Sequence, residues 1–155
     1  MRRKDREVTD FAEIIDILER CNTIRLGIHG TDAPYIVPLS FGLEVIGNKP
    51  IVYFHCAQEG LKIELLEKSS NVCVEGDIFH KVEKTEHGIT TRYESIIAQG
   101  KCEFVTAPDD IKHGLRLINQ HYGYDDYPLD RCNGLAHLKI GIITLHKITG
   151  KRNLA

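Results

Sequence analysis

Charge of one sign, long apolar runs and paired cysteines are all scarce in this 155-residue chain. The formal net charge is −2, and the 20 lysines and arginines are scattered along the sequence. This distribution argues against a nucleic-acid partner, because such proteins present a concentrated positive surface. The basic start, Met1–Arg6, is interpreted as a solvated arm.

No apolar stretch approaches the ~20 residues that a membrane-spanning helix needs, and the N-terminus lacks the apolar centre of a secretory signal. We therefore expect a cytoplasmic protein. The five cysteines are an odd number without any Cys-x-x-Cys spacing, so we expect free thiols, mostly in the core, in a reducing compartment. They are Cys21, Cys56, Cys73, Cys102 and Cys132.

The length and composition are those of one globular unit. A content of 42% apolar and 27% charged residues is ordinary, and chains of roughly 100–200 residues commonly fold around one core. We predict a single domain over residues 1–155.

Three segments carry helix signals. Asp10 and Glu13 form a capping pair before an apolar stripe with helical spacing that ends near Cys21. A short second helix is predicted over residues 61–68, and a third is predicted to begin near Pro108 and to end near Gly123.

Six segments are predicted as strands, mostly joined by turns, which favours an antiparallel α+β barrel over alternating parallel units. The clearest alternation runs from Tyr35 to Val45, with one apolar face and one small or polar face. Pro38 cannot donate to a ladder, so it predicts a sheet edge or a backbone that faces a ligand. Gly100 marks a possible bulge. The predicted strands are 23–28, 35–45, 51–56, 72–82, 91–105 and 135–148.

The junction between the third strand and the second helix is a candidate phosphate site. Gly60 precedes the helix, whose N-terminus offers backbone N–H groups and a positive dipole end, and Lys62 adds a charge in the first turn. His55 supplies a further donor. The connection lacks the three-glycine dinucleotide fingerprint. On spacing alone, a plain helix start with a solvated lysine and a structural histidine is the more common arrangement.

Several motifs in one order resemble a known family. The resemblance is to the flavin-binding split-barrel family related to pyridoxamine 5′-phosphate oxidase, and within it to the nitroimidazole-resistance proteins. It covers nearly the whole chain, from the basic start to the Thr-Gly-Lys sequence near the end. The motifs are Pro34-Tyr35-Ile36-Val37-Pro38-Leu39-Ser40-Phe41, Phe54-His55-Cys56-Ala57-Gln58-Glu59-Gly60-Leu61-Lys62 and Arg92-Tyr93-Glu94-Ser95-Ile96.

This resemblance implies a six-stranded split barrel with about three helices, and a homodimer with one FMN in each of two interface clefts. It also implies an oxidoreductase that passes electrons from a nicotinamide nucleotide through FMN to a small acceptor such as a nitroaromatic. A non-catalytic flavin or small-ligand binder, such as a redox sensor or carrier, is the alternative. A colourless module that takes another phosphate ester is a third hypothesis.

The resemblance also assigns cofactor-binding residues. Residues 37–40 would line the isoalloxazine ring and the ribityl chain, with a flavin hydrogen bond from Ser40. The segment from His55 to Lys62 would surround the phosphate, with Lys62 supplying charge and His55 contacting phosphate or substrate. The full set is Val37, Pro38, Leu39, Ser40, His55, Cys56, Ala57, Gly60, Lys62, Arg92, Glu94 and Ser95.

The chain departs from the vitamin B6 phosphate oxidases of this family. It has no tryptophan, and its end lacks their Arg-Leu-x-Pro sequence, so pyridoxine phosphate is not the expected substrate.

No metal is expected, since no histidines or cysteines have finger or metalloprotease spacing, and His55 and Cys56 should face opposite sides of a strand. A Cys–His nucleophilic pair stays open, because such pairs are spatial rather than sequential. No catalytic residue is predicted.

Overall fold

The computed structural model describes residues 2–129 and 134–154. The helices are α1 (Phe11–Arg20), α2 (Leu61–Lys68) and α3 (Pro108–His121). The strands are β1 (Glu7–Val8), β2 (Ile24–Ile28), β3 (Tyr35–Leu39), β4 (Gly42–Ile46), β5 (Lys49–Ala57), β6 (Asn71–Thr85), β7 (Gly88–Val105) and β8 (Leu138–Asn153). Short 3-10 turns cover Lys4–Arg6 and Leu135–His137.

All strand pairs are antiparallel, in the order β3-β2-β6-β7-β8-β5-β4, and β1 pairs with β8. The long strands β6, β7 and β8 form the centre of the sheet, which curls around the main apolar core. Helices α1 and α2 contribute to that core, whereas α3 packs on β4 and β5 over a second cluster. The predicted α+β antiparallel split barrel is confirmed.

The helix predictions agree closely with the structure. The Asp10 carboxylate accepts the backbone N–H of Glu13 at 3.0 Å, as the capping pair predicted. This contact satisfies a donor that the first turn of the helix leaves without a partner. Helix α3 ends at His121, two residues before Gly123.

The strand count is eight rather than six, for two reasons. The predicted strand 35–45 is broken at Ser40 and Phe41, so that β3 pairs with β2 and β4 pairs with β5. The alternation of side chains continues across this break, which is why the sequence does not mark it. The other additional strand is β1, in which Glu7 and Val8 pair with Lys151 and Gly150.

The last strand is displaced from its predicted position. It begins at Leu138, after a 3-10 turn, and continues to Asn153, because β1 and β7 both supply partners for its end. The irregularity expected at Gly100 lies instead on β8, where Lys147 and Ile148 oppose Ala98 alone. Lys147 has a left-handed φ of 52°, as the extra residue of a bulge often does.

The four cysteines within the described residues are free thiols. Burial raises the pKa of the Cys21 and Cys102 thiols to about 12, so both are protonated at neutral pH. Cys132 lies outside the described residues. Among the helices of the described chain, none is long and apolar enough to cross a membrane.

Candidate functional site

The first predicted group of site residues lies on β3, which forms one end of the sheet order. Within the described chain, no strand pairs with the outer edge of β3, so its backbone groups there are available to other partners. Pro38 occupies this edge strand, as its missing N–H predicted. The side chains of Pro38 and Ser40 are exposed, and Val37 and Leu39 pack against the core.

The break between β3 and β4 brings this group to the end of β5. Gly42 of β4 is paired with Tyr53 of β5. Ser40 lies two residues before Gly42, and His55 lies two residues after Tyr53, so both lie at the same end of that ladder. Two predicted motifs, separated in the sequence, therefore lie at the same end of the β4–β5 pair, where β5 leads into α2.

Helix α3 fixes the position of the break. The Phe41 ring is buried and packs on the His121 ring, with centroids 4.1 Å apart. The backbone N–H of Phe41 donates to the Tyr122 hydroxyl at 3.3 Å, and that hydroxyl donates to the Asn22 carbonyl at 2.8 Å. The chain therefore turns from β3 into β4 against a helix that begins some 70 residues later in the sequence.

Gly42 allows the helix to approach this closely. A Cβ atom at Gly42 would lie 2.5 Å from the carbonyl carbon of Leu117 and 2.6 Å from the amide nitrogen of Ile118. Both are backbone atoms, which cannot move aside as a flexible side chain can. Neither this contact nor the role of Tyr122 was predicted from the sequence.

The junction between β5 and α2 has free donors. Gly60 has a φ of 125°, which disfavours a side chain, and no side chain caps the helix that follows. The Gly60 carbonyl accepts the N–H groups of Ile63 at 2.9 Å and Glu64 at 3.1 Å. The N–H groups of Leu61 and Lys62 precede any intrahelical acceptor. The space around Gly60 is open, so these groups are accessible to an anion.

Lys62 supplies a positive charge at the same junction. Its Nζ atom lies 5.1 Å from the centroid of the Phe54 ring, within the range of a cation–π contact. Among the described residues, no carboxylate lies within ion-pair distance of this ammonium group. Its charge is therefore available to a ligand.

His55 and Cys56 lie on opposite faces of β5, as expected. The His55 side chain points outward, and Cys56 packs at the edge of the core. Partial burial, and secondarily the charge of Lys62, lower the pKa of His55, so its imidazole is neutral at pH 7. A neutral imidazole can donate one hydrogen bond and accept another.

The structure does not bring the third predicted group close to the other two in one chain. Glu94 and Ser95 pair with Arg152 and Lys151 near the end of β8, whereas His55 pairs with Ile140 near its beginning. The assignment of Arg92, Glu94 and Ser95 to a cofactor stays a prediction.

Two of these side chains have partners within the chain. The buried Glu94 carboxylate accepts from both terminal nitrogens of Arg20, at 2.8 and 3.0 Å, and is 3.1 Å from Nε2 of His80. Arg92 pairs with Glu83. Glu94 thus joins α1 to the strand pair of β6 and β7.

The Glu94 contacts predict a pH dependence of stability. Hydrogen bonds from Arg20 lower the pKa of Glu94 in the folded chain, although burial opposes them. A carboxyl whose pKa is lower in the folded than in the unfolded state stabilises the fold above its unfolded pKa, and this contribution is lost as the pH falls through the folded pKa.

We expect Glu94→Gln to unfold about 1–3 kcal/mol more easily at pH 7, because the charge-assisted contacts are lost. We also expect the difference from wild type to shrink below pH ~4. Urea unfolding of both proteins at several pH values measures this. A constant difference down to the acid range would contradict the role assigned to Glu94.

The outer face of the sheet carries a concave groove of about 900 Å³. A row of residues in register crosses it from β3 to β8, namely Ile36, Gly27, Cys73, Gln99 and His146. Ile36 and the neighbouring Ile97 are large apolar side chains exposed to 63% and 52%. The groove therefore combines apolar surface with the edge strand β3.

Fold and site together define an antiparallel split barrel with an anion-accepting junction beside an open strand edge. The sequence profile of the family described as pyridoxamine 5′-phosphate oxidase matches residues 10–152. The chain belongs to this family, which confirms the resemblance seen in the motifs. The comparison with curated proteins found no match.

Solved structures show the same fold. A candidate 5-nitroimidazole antibiotic resistance protein from Bacteroides thetaiotaomicron is 28% identical, with a TM-score of 0.82 over 94% of this chain and 85% of that one. The flavocytochrome Anf3 from Azotobacter vinelandii is 14% identical, with a TM-score of 0.81 over 100% and 72% of the two chains. An FAD- and heme-binding protein from Mycobacterium smegmatis is 15% identical, with a TM-score of 0.80 over 97% and 74%.

Proposed function

We propose that this protein binds flavin mononucleotide, with the phosphate at the β5–α2 junction and the ring against β3. The observation that carries the proposal is the β5–α2 junction, where unpaired N–H groups at the start of α2 and the Lys62 ammonium group lie at the same end of the β4–β5 pair as Ser40 and His55. A flavin mononucleotide has an anionic end and a flat polar ring, and this site offers donors for one and an open strand edge for the other.

The phosphate end fits a dianion. The first turn of α2 provides unpaired N–H groups and the positive end of the helix dipole. Lys62 adds a charge with no carboxylate partner in the described chain, and His55 adds a neutral donor. The positive φ of Gly60 keeps a side chain out of the loop.

The ring end fits a planar heterocycle. The outward residues Pro38 and Ser40 are small, so a flat ring could lie close to the strand. The free edge of β3 offers backbone groups that can pair with the polar edge of an isoalloxazine, which alternates donors and acceptors. Pro38 removes one N–H from that edge, and Ser40 adds a hydroxyl near its end.

We propose further that the protein is an oxidoreductase that uses a nicotinamide nucleotide as donor and a small acceptor such as a nitroaromatic. When bound, the flavin supplies the redox chemistry, and the residues of the chain bind and orient it. The description of the Bacteroides thetaiotaomicron protein as a 5-nitroimidazole resistance protein supports this acceptor class.

A homodimer completes the proposal. The outer groove, with the exposed Ile36 and Ile97, lies beside the free edge of β3 and offers apolar surface to a second copy. A partner seated there would cover the ring of a flavin held by β3 and exclude water from it. Isologous contacts between identical faces are the commonest form of such assembly.

The test is anaerobic reduction of the FMN-loaded protein. We expect NADH or NADPH to bleach the flavin absorbance and a nitroaromatic to restore it, and sedimentation of the same sample to give two chains, each with one flavin. A coloured protein that neither nucleotide bleaches would indicate a non-catalytic flavin binder. Flavin bound to a single chain would contradict the dimer.

A further inference from the structure

A second lysine lies beside the proposed phosphate site. Lys139 is the second residue of β8 and is paired in register with Cys56 of β5, so their side chains are directed to the same side of the sheet. The Nζ atom of Lys139 lies 5.6 Å from the centroid of the Phe104 ring. This ring meets the Phe54 ring edge to face at 6.3 Å, and Phe54 is the ring under Lys62.

The two lysines thus cover two adjoining aromatic rings at one end of the barrel. Gly141 makes this arrangement possible, because a Cβ atom there would lie 2.1 Å from the Phe54 ring. The stems of both lysines can pack on apolar surface while their charged ends reach outward.

Among the described residues, no negative charge lies close enough to compensate the pair. Within residues 2–129 and 134–154, neither ammonium group is within ion-pair distance of a carboxylate. Both ammonium groups act on the Cys56 thiol. The charge of Lys62, and to a smaller extent that of Lys139, lowers the pKa of this thiol, although burial raises it more. Two like charges held beside one thiol repel each other, and an anion between them would relieve that repulsion.

We propose that Lys139 is a second phosphate-binding residue, which together with Lys62 holds the dianionic monoester group of the cofactor at the β5–α2 junction. This inference rests on the proposed function. A phosphate monoester carries close to two negative charges at pH 7. One lysine and a helix N-terminus leave part of that charge uncompensated. Lys139 is the cation of β8 that is paired in register with the end of β5, next to the site.

The experiment compares FMN with riboflavin, which has the same ring and ribityl chain but no phosphate. The variants are Lys139→Met, which keeps an apolar side chain over Phe104, and the control Lys101→Met, an exposed lysine of β7. Fluorescence titration gives both dissociation constants for each protein. We expect Lys139→Met to weaken FMN binding about tenfold, with riboflavin binding unchanged, and Lys101→Met to resemble wild type.

The outcomes separate the two claims. An unchanged FMN-to-riboflavin preference in Lys139→Met would overturn the role of Lys139, whereas a wild-type protein that binds neither flavin would overturn the proposed function itself. Equal weakening of both ligands would also overturn the role, because it would indicate a loss of structure. Should the methionine variant unfold, Lys139→Gln and the charge-retaining Lys139→Arg give the same comparison. We then expect the wild-type preference for FMN over riboflavin in the arginine variant and not in the glutamine variant.

Discussion

Replacing Lys62 by methionine is expected to weaken FMN binding about 10- to 100-fold, because hydrogen bonds to an ionised partner contribute about 1.5–3 kcal/mol each. Among the described residues, no carboxylate pairs with the Lys62 ammonium group and would have to be released when a phosphate arrives. Nearly all of its interaction with the ligand should therefore appear as affinity. The methionine side chain still covers the Phe54 ring. The loss should therefore fall on FMN and leave riboflavin nearly unaffected.

Lys68→Met is the matched control for Lys62→Met. Lys68 is an exposed lysine in the last turn of the same helix, so the change removes the same charge at the opposite end of α2. We expect its FMN affinity to stay within about twofold of wild type, since an exposed charge a helix length away is largely screened. Equal losses in the two variants would indicate a general electrostatic effect rather than a phosphate contact.

Gly42→Ala is expected to destabilise the fold by about 1–3 kcal/mol or more, since the added methyl group overlaps the backbone of α3. The strand break cannot keep its position against the helix once this atom is present. Because the same break sets where β3 ends, and with it the placement of Pro38 and Ser40, FMN affinity should fall as well, even at temperatures where the variant is folded. Urea unfolding and a flavin titration measure the two effects separately.

Gly134→Ala is the control for this substitution. Within the described part of the chain, and leaving out its chain neighbours, no atom lies within 4 Å of a Cβ at Gly134. Its φ of −112° suits any residue. We expect its stability to differ from wild type by no more than about 0.5 kcal/mol. Wild-type stability in Gly42→Ala would show that α3 does not fix the break, and the account of how the site is assembled would then be wrong.

The helices and the junction at Gly60 were predicted because they depend on residues that are close together in the sequence. The capping contact of Asp10 lies within one turn of α1, and the junction at Gly60 depends on a positive φ and a helix start that neighbouring residues encode. Features of this kind are visible in a short window of sequence, which is why the three helices and the candidate phosphate site were found.

Contacts between distant segments were not predictable in this way. The break at Phe41 is set by Tyr122, 81 residues away, and the alternation of side chains gives no sign of it. The bulge at Lys147 likewise depends on how β7 pairs with β8. Lys139 was not singled out either, because its significance comes from its register with Cys56 and not from any motif.

Glu94 illustrates the opposite case. A motif resemblance groups it with the cofactor-binding residues, which stays a prediction, and the fold surrounds its carboxylate with Arg20 and His80. A buried carboxylate needs such partners, because an unpaired charge in the interior is strongly destabilising. A motif thus indicates that a residue type is needed at a position, but it does not show whether that residue binds a ligand or stabilises the fold.

The visible absorption spectrum of the purified protein, followed by the mass of the released chromophore, tests the central claim most directly. We predict the visible absorption of a flavin, either as purified or after FMN is added, and a chromophore with the mass of FMN rather than FAD. A protein that is colourless as purified and stays so in the presence of FMN would contradict the account.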